Sequence, residues 1–385
     1  MKIIIFDGSF QTTAFIRRLA EGLQKRHQVF ILGFNEKIND RVKGVSYVKI
    51  GSNQSNLNLV KTSILQQGLK LSVLKTIIKT NRKQLQEKNL KIILDKIQPD
   101  IIHAQWNSVL PWLEPYLENK QYPVVLSQRG YHTNIRPFIQ PKNLDYLSAI
   151  YSNLGGLHSV SEAISKKGKA IGIPFTKIDK IVYTGLEIDK FKFNKHYSQK
   201  KQLEILSVGR PHWVKGYSYA LEAMKILKKQ GFEFHYTIIG ASKNEELTYC
   251  IDQMGLEEYV SLKPKMKQQE VFNYMNNSSV LLLPSIEEGL ANVVVEAMAL
   301  GTPVISTHCG GMGELIENNK NGFLVNSRNS NEMADKIRLF SELSLAKITE
   351  LRFEARQKVE SKFTEENMIS GMLDLYHQVL SYEKN

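Results

Sequence analysis

The stretch "PSIEEGLANVVVEAMALGTPVIS", Pro284 to Ser306, carries two glutamates, Glu288 and Glu296, eight positions apart in an otherwise apolar neighbourhood. A carboxylate is costly to bury unless a cation or hydrogen-bond donors meet it. A second stretch, "SVGRPHWVKGYSYALEAM", sets Gly209-Arg210 and then Lys215-Gly216 between a strand-like run and a helix-like run. On one strand–loop–helix turn, an arginine fork and a lysine point charge can grip a diphosphate. Taken singly, each cation reads as a surface charge, and two glutamates alone read more readily as capping or salt-bridge carboxylates. Two cations together with a glycine-led loop and a helix start point instead to a nucleoside diphosphate ligand. The carboxylates would then accept hydrogen bonds from sugar and ribose hydroxyls.

These side chains need strands and helices to hold them. "SSVLLLPS" is nearly continuously apolar, as a strand buried on both faces must be. Ser285 to Gly289 then form the loop at its carboxyl end. "NVVVEAMALG" is ambiguous because three valines favour a strand, but Ala297 to Leu300 favour a helix. With Asn292 as N-cap and Gly301 followed by Pro303 as the stop, the stretch predicts a buried helix starting near Asn292. Glu288 falls in the loop before it and Glu296 about one turn inside.

The same alternation runs through the chain. "KIIIF", "QVFILGF", "DIIHAQ" and "PVVLSQ" are strand-like, whereas "TAFIRRLAEGLQKR" and "LKIILDKIQ" are helix-like. The pattern lapses over Lys190–Gln202, read as a linker, and restarts with "LEILSVGR". It predicts an α/β chain of two Rossmann-like, doubly wound domains, residues 1–195 and 196–365, facing a central cleft. Residues 366–385 form a terminal amphipathic helix. The start "MKIIIFDGSF" reads as a buried strand rather than a leader.

Bulk properties narrow the function. At 385 residues, 42% hydrophobic and 23% charged, the chain is that of a soluble enzyme, and no apolar run is long enough for a membrane span. Cys250 and Cys309 stand in unrelated contexts, which fits a reducing cytoplasm. His308 adjoins Cys309 without further partners, so a packed turn is expected there and no metal site. The net charge of +13 is uneven: Leu59 to Lys96 carries nine Lys/Arg against Glu87 and Asp95. Leu71, Leu74, Ile77 and Ile78 recur there at helical spacing. A basic amphipathic helix over 59–96 can lie on an anionic membrane surface, or it is an ordinary solvated face. Aromatic residues do not interleave with the basic ones, so nucleic acid is not expected as a partner.

"VGRPHWVKG", "EEGLANVVVEAMALGTPVIS" and "GGMGELI", in this order and spacing, resemble the retaining glycosyltransferases of family 4, which have the GT-B architecture. Weaker matches are "PDIIHAQ", "HSVSEAISK" and "VYTGLEIDKF". The resemblance implies a nucleotide-sugar donor, UDP- or GDP-linked, on the C-terminal domain and an acceptor entering from the N-terminal domain. It also implies that the final helix crosses back to the first domain.

Residue by residue, the resemblance implies that Arg210 and Lys215 neutralise the donor diphosphate and that Glu288 binds the donor sugar. Backbone groups of Gly289, Leu290, Ala291, Asn292 and Val293 would hold sugar and phosphate, with Glu296 on the ribose. Gly8 and Gly209 would lie along the donor, and Met266 in "LKPKM" would frame the base. Two departures stand out. "FDGSFQTT" has only Gly8 where many members have two adjacent glycines. "VLSQRGYHT" sets Arg129 where many have a histidine, with His132 three residues later. Arg129 cannot act as a base at neutral pH but can bind the sugar or a phosphate-bearing acceptor; for both, loop structure is the bland alternative. His103 is either a core or a cleft histidine.

The implied function is retaining, hexosyl-type transfer, without metal or cofactor, to a glycan or lipid-linked acceptor in bacterial surface polysaccharide assembly. It would occur in the cytoplasm, at the inner face of the membrane if the acceptor is lipid-linked. A sugar-nucleotide epimerase and a noncatalytic nucleotide-sugar-binding subunit are the alternatives.

Overall fold

The computed structural model of the chain describes residues 1–10, 13–34, 38, 41–68, 81–195 and 197–382. The chain divides into two compact units. Unit 1 comprises Met1–Val160, Ile164–Gly185 and the chain from Glu365 onward. Unit 2 comprises Ser161–Ala163 and Leu186–Thr364.

Unit 1 is built on seven strands: β1 (Lys2–Gly8), β2 (Gln28–Gly33), β3 (Ser46–Lys49), β4 (Ile101–Ala104), β5 (Val124–Gln128), β6 (Gly156–Ser159) and β7 (Asp179–Ile181). They lie in the order β3-β2-β1-β4-β5-β6-β7, and every neighbouring pair is parallel. Parallel strands need crossovers, which cover both faces, so "KIIIF" is apolar without interruption. Its side chains alternate between the two faces. Ile4 and Phe6 join one core cluster, and Ile3 and Ile5 join the other.

The second cluster takes in the first helix, α1 (Ala14–Leu23), and the last helix of the chain, Glu365–Tyr382. Met372, Leu375, Tyr376 and Val379 of that last helix are fully buried. This helix thus packs into the core cluster that β1 helps to build.

The basic stretch 59–96 is not one helix. The helix α2 (Asn56–Gln67) ends at Gly68, whose φ of 83° stops it, and α3 (Arg82–Ile97) begins afresh with a capping box between Asn81 and Gln84. Residues 69–80, including Lys75, Lys79, Leu71, Leu74, Ile77 and Ile78, lie outside the described residues. The apolar side of α3 is spent within unit 1, where Leu90, Ile93 and Leu94 enter the first core cluster. Among its cations, Arg82 bonds Ser52 O and Asn56 Oδ1, Lys83 faces Glu87 at 3.7 Å, and Lys91 faces Asp95 at 2.6 Å.

Unit 2 carries six strands: β8 (Leu203–Val208), β9 (Phe234–Ile239), β10 (Val260–Lys263), β11 (Val280–Leu283), β12 (Val304–Thr307) and β13 (Phe323–Val325). Their order, β10-β9-β8-β11-β12-β13, is again parallel throughout. The strand order reverses between β8 and β11 as it does between β1 and β4, and ligands of such sheets bind beyond the carboxyl ends at that point.

The helix α4 (Tyr217–Lys229) follows β8, and α5 (Asn292–Leu300) follows β11. Despite its valines, "NVVVEAMALG" is helical, because Gly301 at φ 85° ends it and Val294 and Val295 pack fully buried. Its N-cap is Ala291 rather than Asn292, and no side chain caps it. The polar stretch read as a linker lies on unit 2. Phe191 packs against Phe272 with ring centroids 4.9 Å apart, and the Asn194 amide bonds Leu300 O at 3.1 Å. Unit 2 therefore begins earlier than the boundary expected at residue 196.

Candidate active site

In unit 2, β8 runs directly into the first cation. Gly209 closes the strand, donating its amide to Ile239 O at 2.9 Å and accepting the Tyr217 hydroxyl at 3.1 Å. Arg210 follows, exposed, with no hydrogen bond or ion pair among the described residues. A single turn, Trp213–Lys215, then leads into α4. His212 starts it by accepting the Val214 amide, and Gly216 ends it at φ 65°. A Cβ at Gly216 would stand 2.1 Å from Pro284 O. Only glycine permits this approach of the two loops, which the bond from Ile286 N to Val214 O at 2.7 Å also holds.

That approach brings the predicted pair together. Lys215 Nζ stands 2.6 Å from Glu288 Oε1, and Ser285 Oγ donates to the same oxygen at 2.7 Å. The two side chains are 24% and 14% exposed, so both charges are largely withdrawn from water yet still reachable. From the far side, the loop rests on two glycines. The Gly311 amide donates to Gly289 O at 3.0 Å, and a Cβ at Gly310 would fall 1.7 Å from Glu288 O. Ser161 Oγ donates to Gly289 O as well, at 2.9 Å.

The uncapped start of α5 completes the cradle. Leu290, Asn292 and Val293 are partly exposed around it, and Gly289 and Ala291 are buried. With no side chain covering the first amides and the positive end of the helix dipole behind them, an anion is the natural occupant. Glu296, a turn further along, is partly exposed and accepts from Gln268 Nε2 at 3.1 Å. Met266 follows β10 and is partly buried. Cys309 is buried and its thiol is pushed up to about 12, mainly by that burial, as suits a packed turn. No group of three or more His, Cys, Asp or Glu side chains arranged for a metal ion occurs among the described residues.

Unit 1 gathers its own polar group at the ends of β1, β4 and β5. Gly8 turns at φ 82°. Beside it Asp7 is buried, accepting from Trp106 Nε1 and Ser9 Oγ, both at 3.2 Å, and burial holds its carboxyl above the usual range. Arg129 lies 3.7 Å over the Phe15 ring and 5.7 Å from that of Trp106. Its Nη2 donates to Gln105 Oε1 at 2.9 Å and Ser127 Oγ at 3.2 Å. Burial pulls the guanidinium down to about 9 despite the neighbouring Asp7.

Behind Arg129 runs a buried chain. Tyr376 Oη lies 2.7 Å from His103 Nδ1, His103 Nε2 lies 2.8 Å from Ser127 Oγ, and Ser127 Oγ lies 2.7 Å from His158 Nδ1. His158 Nε2 meets Val182 O at 2.9 Å. A carbonyl only accepts, so His158 Nε2 carries the proton and each bond in the chain has a fixed direction. His103 is therefore a core histidine. His132 is partly buried, with its carbonyl on Asn107 Nδ2 at 3.0 Å and its ring edge-on to Tyr131. Asp7, Gln105, Trp106 and Ser127 were not singled out by sequence. Each lies at or beside the carboxyl end of a predicted strand, and that position was the available signal.

Residues 189–360 match the family described as glycosyl transferases group 1. The matched residues run from before β8 to beyond β13 and include both cations and Glu288. Among curated relatives, the amylovoran biosynthesis glycosyltransferase AmsK of Erwinia amylovora is 32% identical over 256 residues, 65% of this chain and 61% of that one. The match therefore covers about three-fifths of that relative's length.

Among solved structures, the sucrose-phosphate synthase of Thermosynechococcus elongatus superposes with a TM-score of 0.78 at 17% identity, covering 99% of this chain and 100% of that one. HepE of Anabaena, solved with UDP and glucose, gives 0.75 at 19% identity, covering 97% and 98%. The two units thus have the GT-B class of fold, two Rossmann-like parallel-sheet units.

Proposed function

We propose that the chain is a retaining glycosyltransferase of hexosyl type. It would move a sugar from a UDP- or GDP-sugar to a glycan or lipid-linked acceptor in bacterial surface polysaccharide assembly. The observation that carries this reading is the Lys215–Glu288 pair, 2.6 Å apart, with the exposed Arg210 on the same loop as Lys215 and an uncapped start to α5. AmsK is by its name a glycosyltransferase of amylovoran biosynthesis, and HepE was solved with UDP and glucose.

The pair suggests how the site works. With the site empty, lysine and glutamate neutralise each other. A donor diphosphate draws Lys215 and Arg210 to itself, aided by the α5 amides, and so stabilises the leaving group as its charge grows. Glu288, relieved of the lysine, accepts hydrogen bonds from the sugar and supports the positive charge developing at its anomeric carbon. Retention follows when the acceptor hydroxyl attacks from the face the diphosphate leaves: the anomeric carbon–phosphate oxygen bond breaks, the new glycosidic bond forms, and the hydroxyl proton passes to the departing diphosphate. Glu296 and Met266 are assigned to ribose and base, Gly8 to the donor, and Arg129 and His132 to the sugar or acceptor. The two cations do the work a divalent metal does in other transferases, so EDTA is expected to leave turnover unchanged.

A thermal-shift screen of the full chain against UDP, GDP, ADP and their sugar conjugates tests the reading. Ligand at about a hundred times its Kd stabilises by roughly 2.7 kcal/mol, so the true donor stands out. The anomeric coupling of the product by NMR then reads retention. No stabilisation by any of these nucleotides contradicts the proposal. A lipid-linked acceptor would bring the chain to the inner face of the cytoplasmic membrane; the net charge of +13 supports this. Loss of liposome binding on charge reversal at Lys83 and Lys88 tests it.

A further inference from the structure

Arg129 is a half-buried cation that forms no ion pair among the described residues. Among the described residues, the hydrogen bonds of its guanidinium come from Nη2, to Gln105 Oε1 and Ser127 Oγ. Its Nε is buried with no acceptor among the described residues, and the same holds for Nε2 of Gln105, a side chain that is fully buried. The nearest carboxylate, Asp7, is occupied by Trp106 and Ser9 and forms no ion pair with Arg129 among the described residues. Buried donors left unmade are expensive, and a buried charge without a counterion more so. A protein that only needed a packed loop would do better with an apolar residue here. The Phe15 ring, 3.7 Å from the guanidinium, and the bonds to Gln105 and Ser127 fix its plane. Its Nε and the amide nitrogen of Gln105, joined by the Nη2–Oε1 bond, thus form a preset group of N–H donors.

We propose that this group recognises an oxyanion, a carboxylate or a phosphate, carried on a sugar substrate; the inference rests on the glycosyltransferase reading, which supplies the sugar. A guanidinium N–H meets such a group with a charge-assisted hydrogen bond that a neutral hydroxyl does not receive as strongly. Ser127 and Gln105 act as positioning residues for Arg129. Through Ser127 they connect it to the chain of bonds that ends at Tyr376 and Val182.

The test is binding to the full chain, at physiological salt, of methyl glucoside, methyl glucuronoside and methyl glucoside 6-phosphate. UDP-glucose is compared with UDP-glucuronate to show whether the anion rides on the donor. One anionic member is expected to bind roughly tenfold or more tightly than its neutral counterpart, as a charge-assisted bond supplies. Arg129→Gln is expected to erase that preference, and Arg129→Lys to keep part of it. Stabilisation by UDP serves as the check that each variant is folded. Equal binding of neutral and anionic members by the wild-type chain overturns the inference whether or not a variant folds. So does a preference that survives in Arg129→Gln. Stabilisation by UDP-glucose with no anion preference sinks this inference alone, whereas silence toward every nucleotide counts against the glycosyltransferase reading itself.

Discussion

Glu288 holds Lys215 at 2.6 Å, so each side chain governs what the other is free to do. Removing the glutamate's charge releases the lysine. In Glu288→Gln, transfer is expected to fall at least about a hundredfold, the scale for losing one preorganised electrostatic group. Affinity for the nucleoside diphosphate should hold or rise, and paired turnover and binding measurements separate the two effects. A parallel loss of both would make Glu288 a structural strut. These residues were legible because each stands beside a glycine at the end of an apolar run. The Asp7–Gln105–Arg129 group was not, since its members come from three separate strand ends. Only the sheet, with β1 beside β4 and β4 beside β5, brings those ends together.

At the scale of elements, the two loops of the cradle depend on glycines with no room for a side chain. Gly216 and Gly310 both have positive φ, and a Cβ on either would collide with backbone, Pro284 O or Glu288 O respectively. Gly231 also has positive φ but open space around it. Gly216→Ala and Gly310→Ala are thus expected to cost more stability than Gly231→Ala, which bears only the left-handed backbone strain of about 1 kcal/mol. Urea melts of the three variants check the ordering; equal losses would show that the loops can part freely. The helix at Asn292 was readable from its stop at Gly301. Its cap was not, because Ala291 offers no side-chain acceptor and the cap position follows from loop geometry. The stretch after Lys190 misled through its polarity. Its few apolar members, Phe191 among them, pin it to unit 2.

For the whole molecule, alternating apolar and amphipathic runs made the fold class legible, since parallel strands buried on both faces can be covered only by crossovers. The consequence of burying His103 and His158 inside unit 1 was not visible in sequence. Burial is the main cause that holds His103 well below its ordinary 6.5 and His158 down at about 3. Both stay neutral in the fold, while the unfolded chain takes up protons below pH 6.5. Stability is therefore full above that pH and falls as pH drops toward 3, by up to about 1.4 kcal/mol per pH unit for each histidine. Thermal melts from pH 7 to 4 are expected to show a slope that flattens in His158→Gln; an unchanged slope assigns it to other groups.

The cradle in unit 2 is tested most directly by isothermal titration of UDP, or of whichever nucleoside diphosphate gives the largest thermal shift, into the full chain in EDTA. Saturable binding is expected, weakened roughly tenfold or more by Arg210→Ala and again by Lys215→Ala, as the loss of charge-assisted bonds requires. Binding equally tight in both variants, or none in the wild type, would contradict it.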